Sequence, residues 1–236
     1  MPTTLSGTTK AKLKQVSTAT IATCLYKKGF KNQFIQEVQP LGKGDSVMVG
    51  QAFTLRYIPA REDRNAIEVF RNPDHPQRRA VEECPSGAVM VIDSRQNAKA
   101  ASAGSILISR LMIRGVEGVV TDGGFRDSRE IADLPFHSYH QRPSAPTNLT
   151  LHEALECNVP IGCGEVAVFP GDVVVGDEDG VIVIPLEICD DVADECIAMT
   201  AYESFVMEQV HKGHSIIGLY PLTSSDMKEK FINSNK

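Results

Sequence analysis

The chain has 236 residues, 42% of them hydrophobic and 23% charged, with a formal net charge of −6. That length suits one large domain or two small ones, and the apolar fraction supports a sizeable core. The acidic balance argues against a nucleic-acid backbone binder, which carries a basic patch or stripe, yet leaves room for a small anion held by one arginine in a cleft.

In chain order, the spacing of Leu13, Val16, Ile21 and Leu25 predicts a helix over 10–29, closed by Gly29. "VMVGQAFTLRYI" (47–58) reads as a strand with a bulge at Gly50. The polar stretch that follows, punctuated by Pro73 and Pro76, reads as loop and short helix. From 87 the pattern becomes regular: "GAVMVIDS" as a buried strand, "QNAKAASAG" as a small-residue connector, "SILISRLMIRG" as a helix from Ser105 to Gly115, and "EGVVTD" as a second buried strand. The turn "GGFRD" and a short helix "SREIADL" come next. This contains a βαβ crossover, so the two strands are expected to be parallel and the crossover right-handed.

A short strand and a proline-rich loop are expected over "LPFHSYHQRPSAPTN", and valine-rich strands over 159–185, with "DEDG" as a hairpin turn. A long helix over 187–213 closes at Gly213. Residues 1–220 read as one α/β domain, and 221–236 as a frayed polar tail. The six cysteines form no CxxC and no zinc-like spacing with histidine. The opening "MPTTLSGTTKAKLKQ" lacks an apolar signal core, and no apolar run approaches the ~20 residues of a membrane span. A cytoplasmic protein with reduced thiols, binding neither nucleic acid nor membrane, is the expectation. "NLT" at 148–150 is a chance sequon.

The chemistry concentrates in "VVTDGGFRDSREI" (119–131). Ligands of open α/β sheets bind beyond the carboxyl ends of parallel strands, where this segment turns. The helix starting after Gly104 offers free amides near Ser105, Ile106 and Leu107 and the positive end of its dipole. Arg126 presents a planar fork suited to a carboxylate, and Asp127 a hard oxygen suited to Mg²⁺ or Mn²⁺. A 2-oxo acid offers a carboxylate beside a ketone oxygen, so arginine could hold the first while a metal binds both and stabilises an enolate. The competing interpretation is a surface ion pair, with Asp127 as N-cap of "SREIADL" and Glu130 completing a capping box.

The string "GSILISRLMIRGVEGVVTDGGFRDSREI", with "STAT" (17–20), "GQAFT" (50–54) and "PGDVVVGDEDGVIVIP" (170–185), resembles the RraA-like family. That family includes 4-hydroxy-4-methyl-2-oxoglutarate aldolases, oxaloacetate decarboxylases and a ribonuclease E regulator. The resemblance covers about 10–215 and implies an α/β/β/α sandwich of RraA type, a single domain around the central βαβ unit. It implies a class II, divalent-metal lyase releasing pyruvate from a short 2-oxo acid, by retro-aldol cleavage or β-decarboxylation. Arg126 would contact the substrate carboxylate and Asp127 would ligate Mg²⁺ or Mn²⁺. Gly104, Ser105 and the amides of Ile106 and Leu107 would hold the pyruvate moiety. A homotrimer or dimer of trimers is implied, with sites between subunits and a neighbour's acid assisting. Glu203 is the best match for that acid, ahead of Glu195 and Glu208.

Two positions depart from the family pattern. Ser105 stands where the aldolases carry an acid that supports a metal-bound water, and Thr23 replaces a common aspartate. They point to another substrate or reduced catalysis. His137 and His140 are read as structural or rim residues, Arg142 as a possible contact for an extra carboxylate, and Cys163 as a small buried residue rather than a nucleophile. "DEDG" lacks a calcium-loop pattern. The alternatives to the lyase are a non-catalytic regulator that binds a ribonuclease, and a sugar-acid enzyme whose larger pocket is shaped by 59–80 and 137–147.

Overall fold

The computed structural model describes residues 4–42 and 46–234. Two helices open it, α1 (Gly7–Leu13) and α2 (Thr18–Lys27), where the periodicity predicted one. Ser17 causes the break: its backbone is extended and its side chain accepts the Thr20 N–H, which starts a new helix. Strands β1 (Phe34–Ile35), β2 (Gln39–Pro40) and the long β3 (Met48–Pro59) follow. Gly50 pairs in register with Val174, so no bulge forms there. A 3-10 turn (Ile67–Arg71) leads to α3 (Pro76–Glu83), β4 (Val89–Asp93) and β5 (Ala101–Ala103). Then come α4 (Ser105–Ile113), β6 (Gly118–Thr121), β7 (Gly124–Phe125) and α5 (Ser128–Ala132).

The remainder holds β8 (His137–His140), β9 (Arg142–Pro143), β10 (His152–Cys157), β11 (Ile161–Cys163) and β12 (Val166–Val168). It ends with β13 (Val173–Gly176), β14 (Val181–Ile184), the long α6 (Cys189–His211) and α7 (Ser225–Ser234). The last helix lies in the stretch expected to fray. Phe231 anchors it, packing on Tyr202 and Phe205 of α6 with ring centroids 5.3 Å away from each.

β3, β4, β6 and β8 run parallel, as the βαβ pattern predicts. On the other edge of β3, β13 pairs antiparallel with its first half and β10 with its second. Strand β4 shows how the layers arise. Met90 and Ile92 face a core shared with Val81, Ile108 and Leu111 of the helices, whereas Val89 and Val91 face an inner core with Val174, Val181 and Val183. The opposite face of β13 and β14 (Val173, Val175, Ile182, Ile184) meets Leu13, Ile21 and Val192 of α1, α2 and α6. The result is helix, sheet, sheet, helix, the α/β/β/α sandwich. Strands covered on both faces lose polar alternation, which is why they read as continuous apolar runs. The "DEDG" hairpin also seats α2: the Asp177 carboxylate accepts the Thr18 N–H and hydroxyl, both at 2.7 Å. All six cysteines are unpaired. Among the described residues no helix is long and apolar enough to cross a membrane.

Two histidines are locked neutral in this core. His140, 2% exposed, stacks on Phe125, and burial holds its pKa down to about 4. His152 is fully buried between the Arg95 guanidinium and the Asn97 carbonyl, each at 3.0 Å, and burial followed by the Arg95 charge also lowers it to about 4. The unfolded chain titrates near 6.5, so below that pH it binds more protons than the fold does, and stability is lost as pH falls from about 6.5 to 4. Burial raises Asp93 to about 6, which acts in the opposite sense over part of that window, but one carboxylate faces two histidines. Thermal denaturation across pH 7 to 4 is expected to show a falling midpoint. His140→Phe should flatten that slope while keeping the pH 7 midpoint.

Candidate active site

Parallel pairing of β5 with β7 builds the site. Ala101 sits opposite Gly124 and Ala103 opposite Phe125, and the Arg126 N–H donates to the Ala103 carbonyl at 3.1 Å. The residues that follow each strand, Gly104–Ser105 and Arg126–Asp127, therefore lie side by side. The first half of the "DGG" turn is scaffold. Buried Asp122 accepts the N–H groups of Ser94 at 2.6 Å, Gln96 at 3.0 Å and Gly164 at 3.2 Å. Burial raises its pKa, and these donors oppose the rise. A Cβ on Gly123 would stand 2.6 Å from Ser94 Cβ and 2.7 Å from Ser102 Oγ, so only glycine passes. Behind it the hydroxyls of Ser94, Ser102 and Thr121 bond to one another at 2.7 to 3.1 Å.

Asp127 has the left-handed conformation, φ 57° and ψ 37°, which costs a non-glycine residue roughly 1–3 kcal/mol unless its surroundings enforce it. It occupies the N-cap position of α5, yet its side chain makes no capping bond there. Instead Oδ2 turns to the start of α4, accepting the Ser105 N–H at 3.3 Å and lying 3.5 Å from the Ser105 hydroxyl. Arg126 Nε is 3.6 Å from the same oxygen, with the two side chains 47% and 35% exposed. A pair this open contributes at most about 1 kcal/mol, so neither group is consumed by the other. Gly104 makes room for both: a Cβ there would lie 2.7 Å from Asp127 Oδ2 and 2.8 Å from Arg126 Cγ.

Arg126 and Asp127 line a cleft of about 220 Å³ with Gly104, Ile106 and Leu107. Of the three amides expected to hold an anion, that of Ser105 is taken by Asp127 and that of Leu107 donates to the Gly104 carbonyl at 3.1 Å. Only the Ile106 N–H has no acceptor among the described residues. The far wall comes from Phe70, Gln77, Arg78, Thr147 and Asn148, at or beside the two segments expected to shape it. Arg142 is not part of that wall; it is exposed, with its guanidinium 3.5 Å from the Pro143 carbonyl.

Glu203 sits elsewhere in the protomer. It accepts the Thr20 hydroxyl at 3.1 Å and lines a separate cleft with Ser17 and Thr200. Glu195 pairs with Lys28 at 3.2 Å, and Glu208 with Lys212. Thr23 is exposed and bonds back to the Ala19 carbonyl. His137 lies 3.3 Å from the Ser46 hydroxyl, away from buried His140, so the two form no metal pair. Cys163 is buried, and burial pushes its thiol well up, which suits packing and not attack. Among the described residues no three His, Cys, Asp or Glu side chains cluster to hold a metal ion.

A family model described as RraA-like, Aldolase/RraA, matches residues 18–183. The chain belongs to the RraA-like family. A Halalkalibacterium halodurans protein, provisionally named 4-hydroxy-4-methyl-2-oxoglutarate aldolase, is 34% identical over 148 residues, 63% of this chain and 64% of the relative. The 4-hydroxy-4-methyl-2-oxoglutarate aldolase of Thermus thermophilus is 29% identical over 46% of this chain and 65% of its own length. The chain thus spans just under two thirds of these RraA-like relatives. Among solved structures, Streptomyces coelicolor RraAS2, described as an unusual member of the RNase ES inhibitor RraA protein family, superposes with a TM-score of 0.75 at 25% identity, covering 86% of this chain and 96% of that one. An uncharacterized Pseudomonas syringae protein shares the fold at a TM-score of 0.78 and 19% identity, covering 92% and 98%.

The close approach at Gly104 is directly testable. Its backbone is extended, so alanine brings no torsional strain, only a clash with Arg126 and Asp127. Gly104→Ala is expected to keep the circular dichroism spectrum and to weaken pyruvate binding at least about tenfold by calorimetry, the ~1.4 kcal/mol of one displaced contact.

Proposed function

We propose that this chain is a lyase that breaks a carbon–carbon bond in a short 2-oxo acid, by retro-aldol cleavage or β-decarboxylation, and releases pyruvate. The supporting observation is a guanidinium and a carboxylate lining one cleft beside an amide that has no acceptor. The aldolase names of two relatives favour the same chemistry. Arg126 would grip the substrate carboxylate through its fork, with the Ile106 N–H at the start of α4 donating to the same group.

The residues fit a hydrated Mg²⁺ or Mn²⁺. One oxygen of Asp127 faces Ser105 and the other carries no hydrogen bond. Magnesium needs only one or two protein carboxylates and keeps several waters, so a multi-ligand cluster is not required. Asp127 would hold the cation, and the Ser105 hydroxyl is placed to bond one of its waters. When bound, the cation supplies positive charge for the electron pair left at the carbonyl as the bond breaks.

Asp127 is the only acid lining the cleft, so the proton that completes pyruvate comes from outside the protomer's own wall. In a homotrimer or dimer of trimers, Glu203 from a neighbouring copy would serve. Ile106 and Ile113 of α4, 80% and 72% exposed, offer an apolar face for such an assembly. The second reading is a non-catalytic regulator that binds a ribonuclease, favoured by Ser105 in place of an acid and by the likeness to RraAS2. On that reading the outer surface carries the function.

Purified protein with Mg²⁺ or Mn²⁺ is expected to release pyruvate from oxaloacetate or a 4-hydroxy-2-oxo acid. Asp127→Ala and Arg126→Ala should each lower kcat/KM by about 100-fold or more, the ~3 kcal/mol scale of a lost charge contact in a transition state. Folded, metal-supplied wild type that releases none from any such acid would overturn the lyase; ribonuclease binding that survives Asp127→Ala would favour the regulator. Ser105→Asp should enlarge the stabilisation by Mn²⁺ in thermal denaturation and lower the midpoint without metal, because it sets a second carboxylate against Asp127.

A further inference from the structure

The far wall of the cleft carries a second cation. Arg78, in the first turn of α3, is half-buried, with its guanidinium carbon 4.5 Å above the Phe70 ring. Other arginines of this layer have carboxylate partners: Arg79 pairs with Glu83 at 3.3 Å and Arg110 with Glu82 at 2.8 Å. Among the described residues no carboxylate pairs with Arg78. The aromatic face orients the fork without neutralising it.

Asn148 lies on the same wall, 5% exposed. Its Oδ1 accepts the Thr147 hydroxyl at 3.3 Å, but its Nδ2 has no hydrogen-bond partner. A buried donor left unpaired costs roughly 1–3 kcal/mol, so a fold that keeps one facing a cleft has a use for it. Gln77 differs, because its amide is consumed by the Tyr57 hydroxyl and the Ser102 carbonyl, each at 2.9 Å. The two uncommitted groups on this wall are therefore both donors, and one is charged. A tail ending in a methyl group would leave both unmet; a carboxylate would satisfy both.

We propose that Arg78 and Asn148 form a distal subsite for a second carboxylate, so that the cleft selects a 2-oxo dicarboxylic acid. Arg126 takes the acid group beside the carbonyl and Arg78 the one at the other end. The assignment of ends rests on the 2-oxo acid reading above; the subsite itself does not need turnover.

The test compares 2-oxoglutarate with 2-oxopentanoate, which has the same chain without the second acid, by calorimetry with Mg²⁺ present. Wild type is expected to bind 2-oxoglutarate about tenfold or more tightly, the scale of one charge-assisted contact. Arg78→Met should bring the ratio near one while leaving 2-oxopentanoate within about twofold of wild type. Asn148→Leu should reduce the ratio part-way, and it carries the test if Arg78→Met does not fold. A wild-type ratio near one, binding of neither acid, an unchanged ratio in the folded variants, or equal loss of both acids would overturn the subsite. A preference for the diacid without pyruvate release would leave the subsite standing and remove the lyase; release without preference would do the reverse.

Discussion

The N–H of Arg126 bonds the carbonyl of Ala103, closing a parallel ladder of only a few residues between β5 and β7. Without it, Gly104 and Asp127 would belong to unrelated turns. The ladder has little strength of its own, since its side chains are mostly alanine, serine and glycine. Support comes from behind: the carboxylate of Asp122 holds the 94–96 loop and Gly164, and three buried hydroxyls tie the ends of β4, β5 and β6 together. A buried polar network in which every member is paired favours one geometry strongly, because any slip strands a donor or acceptor away from water.

This arrangement explains how an acidic chain can present an anion site. The overall charge of −6 is spread over the surface, whereas the cleft brings together Arg78, Arg126 and one free backbone amide against a single acid. Local field, set by which groups the fold leaves unpaired, decides what enters; net charge does not.

Much of the fold was legible because its strands are covered on both faces and its turns carry glycine and acidic punctuation. The βαβ unit, the "DEDG" hairpin and the long α6 follow from that pattern directly. β5 did not show: "ASA" has no strand propensity, and it is extended because Gly124 and Phe125 need partners. The split between α1 and α2 turned on one hydroxyl at Ser17, and α7 on one aromatic ring at Phe231, neither of which periodicity weighs. At the site, Arg126 and Asp127 stood out by position. Their context fitted an N-cap equally well, and only the left-handed backbone at Asp127 separates the two, since it aims the carboxylate at Ser105. Arg78 and Asn148 are 70 positions apart in the chain and meet only through the fold.

That left-handed residue also limits which acids could ever stand at position 127. Aspartate tolerates φ near 57° because its short side chain can bond nearby backbone; a longer, more mobile acid lacks that local compensation and would drive its extra methylene toward Gly104. Aspartate and glutamate, usually treated as equivalents, are therefore not interchangeable here. Evolutionary drift at this position is confined to the few residue types at ease in the left-handed well, most of which carry no charge.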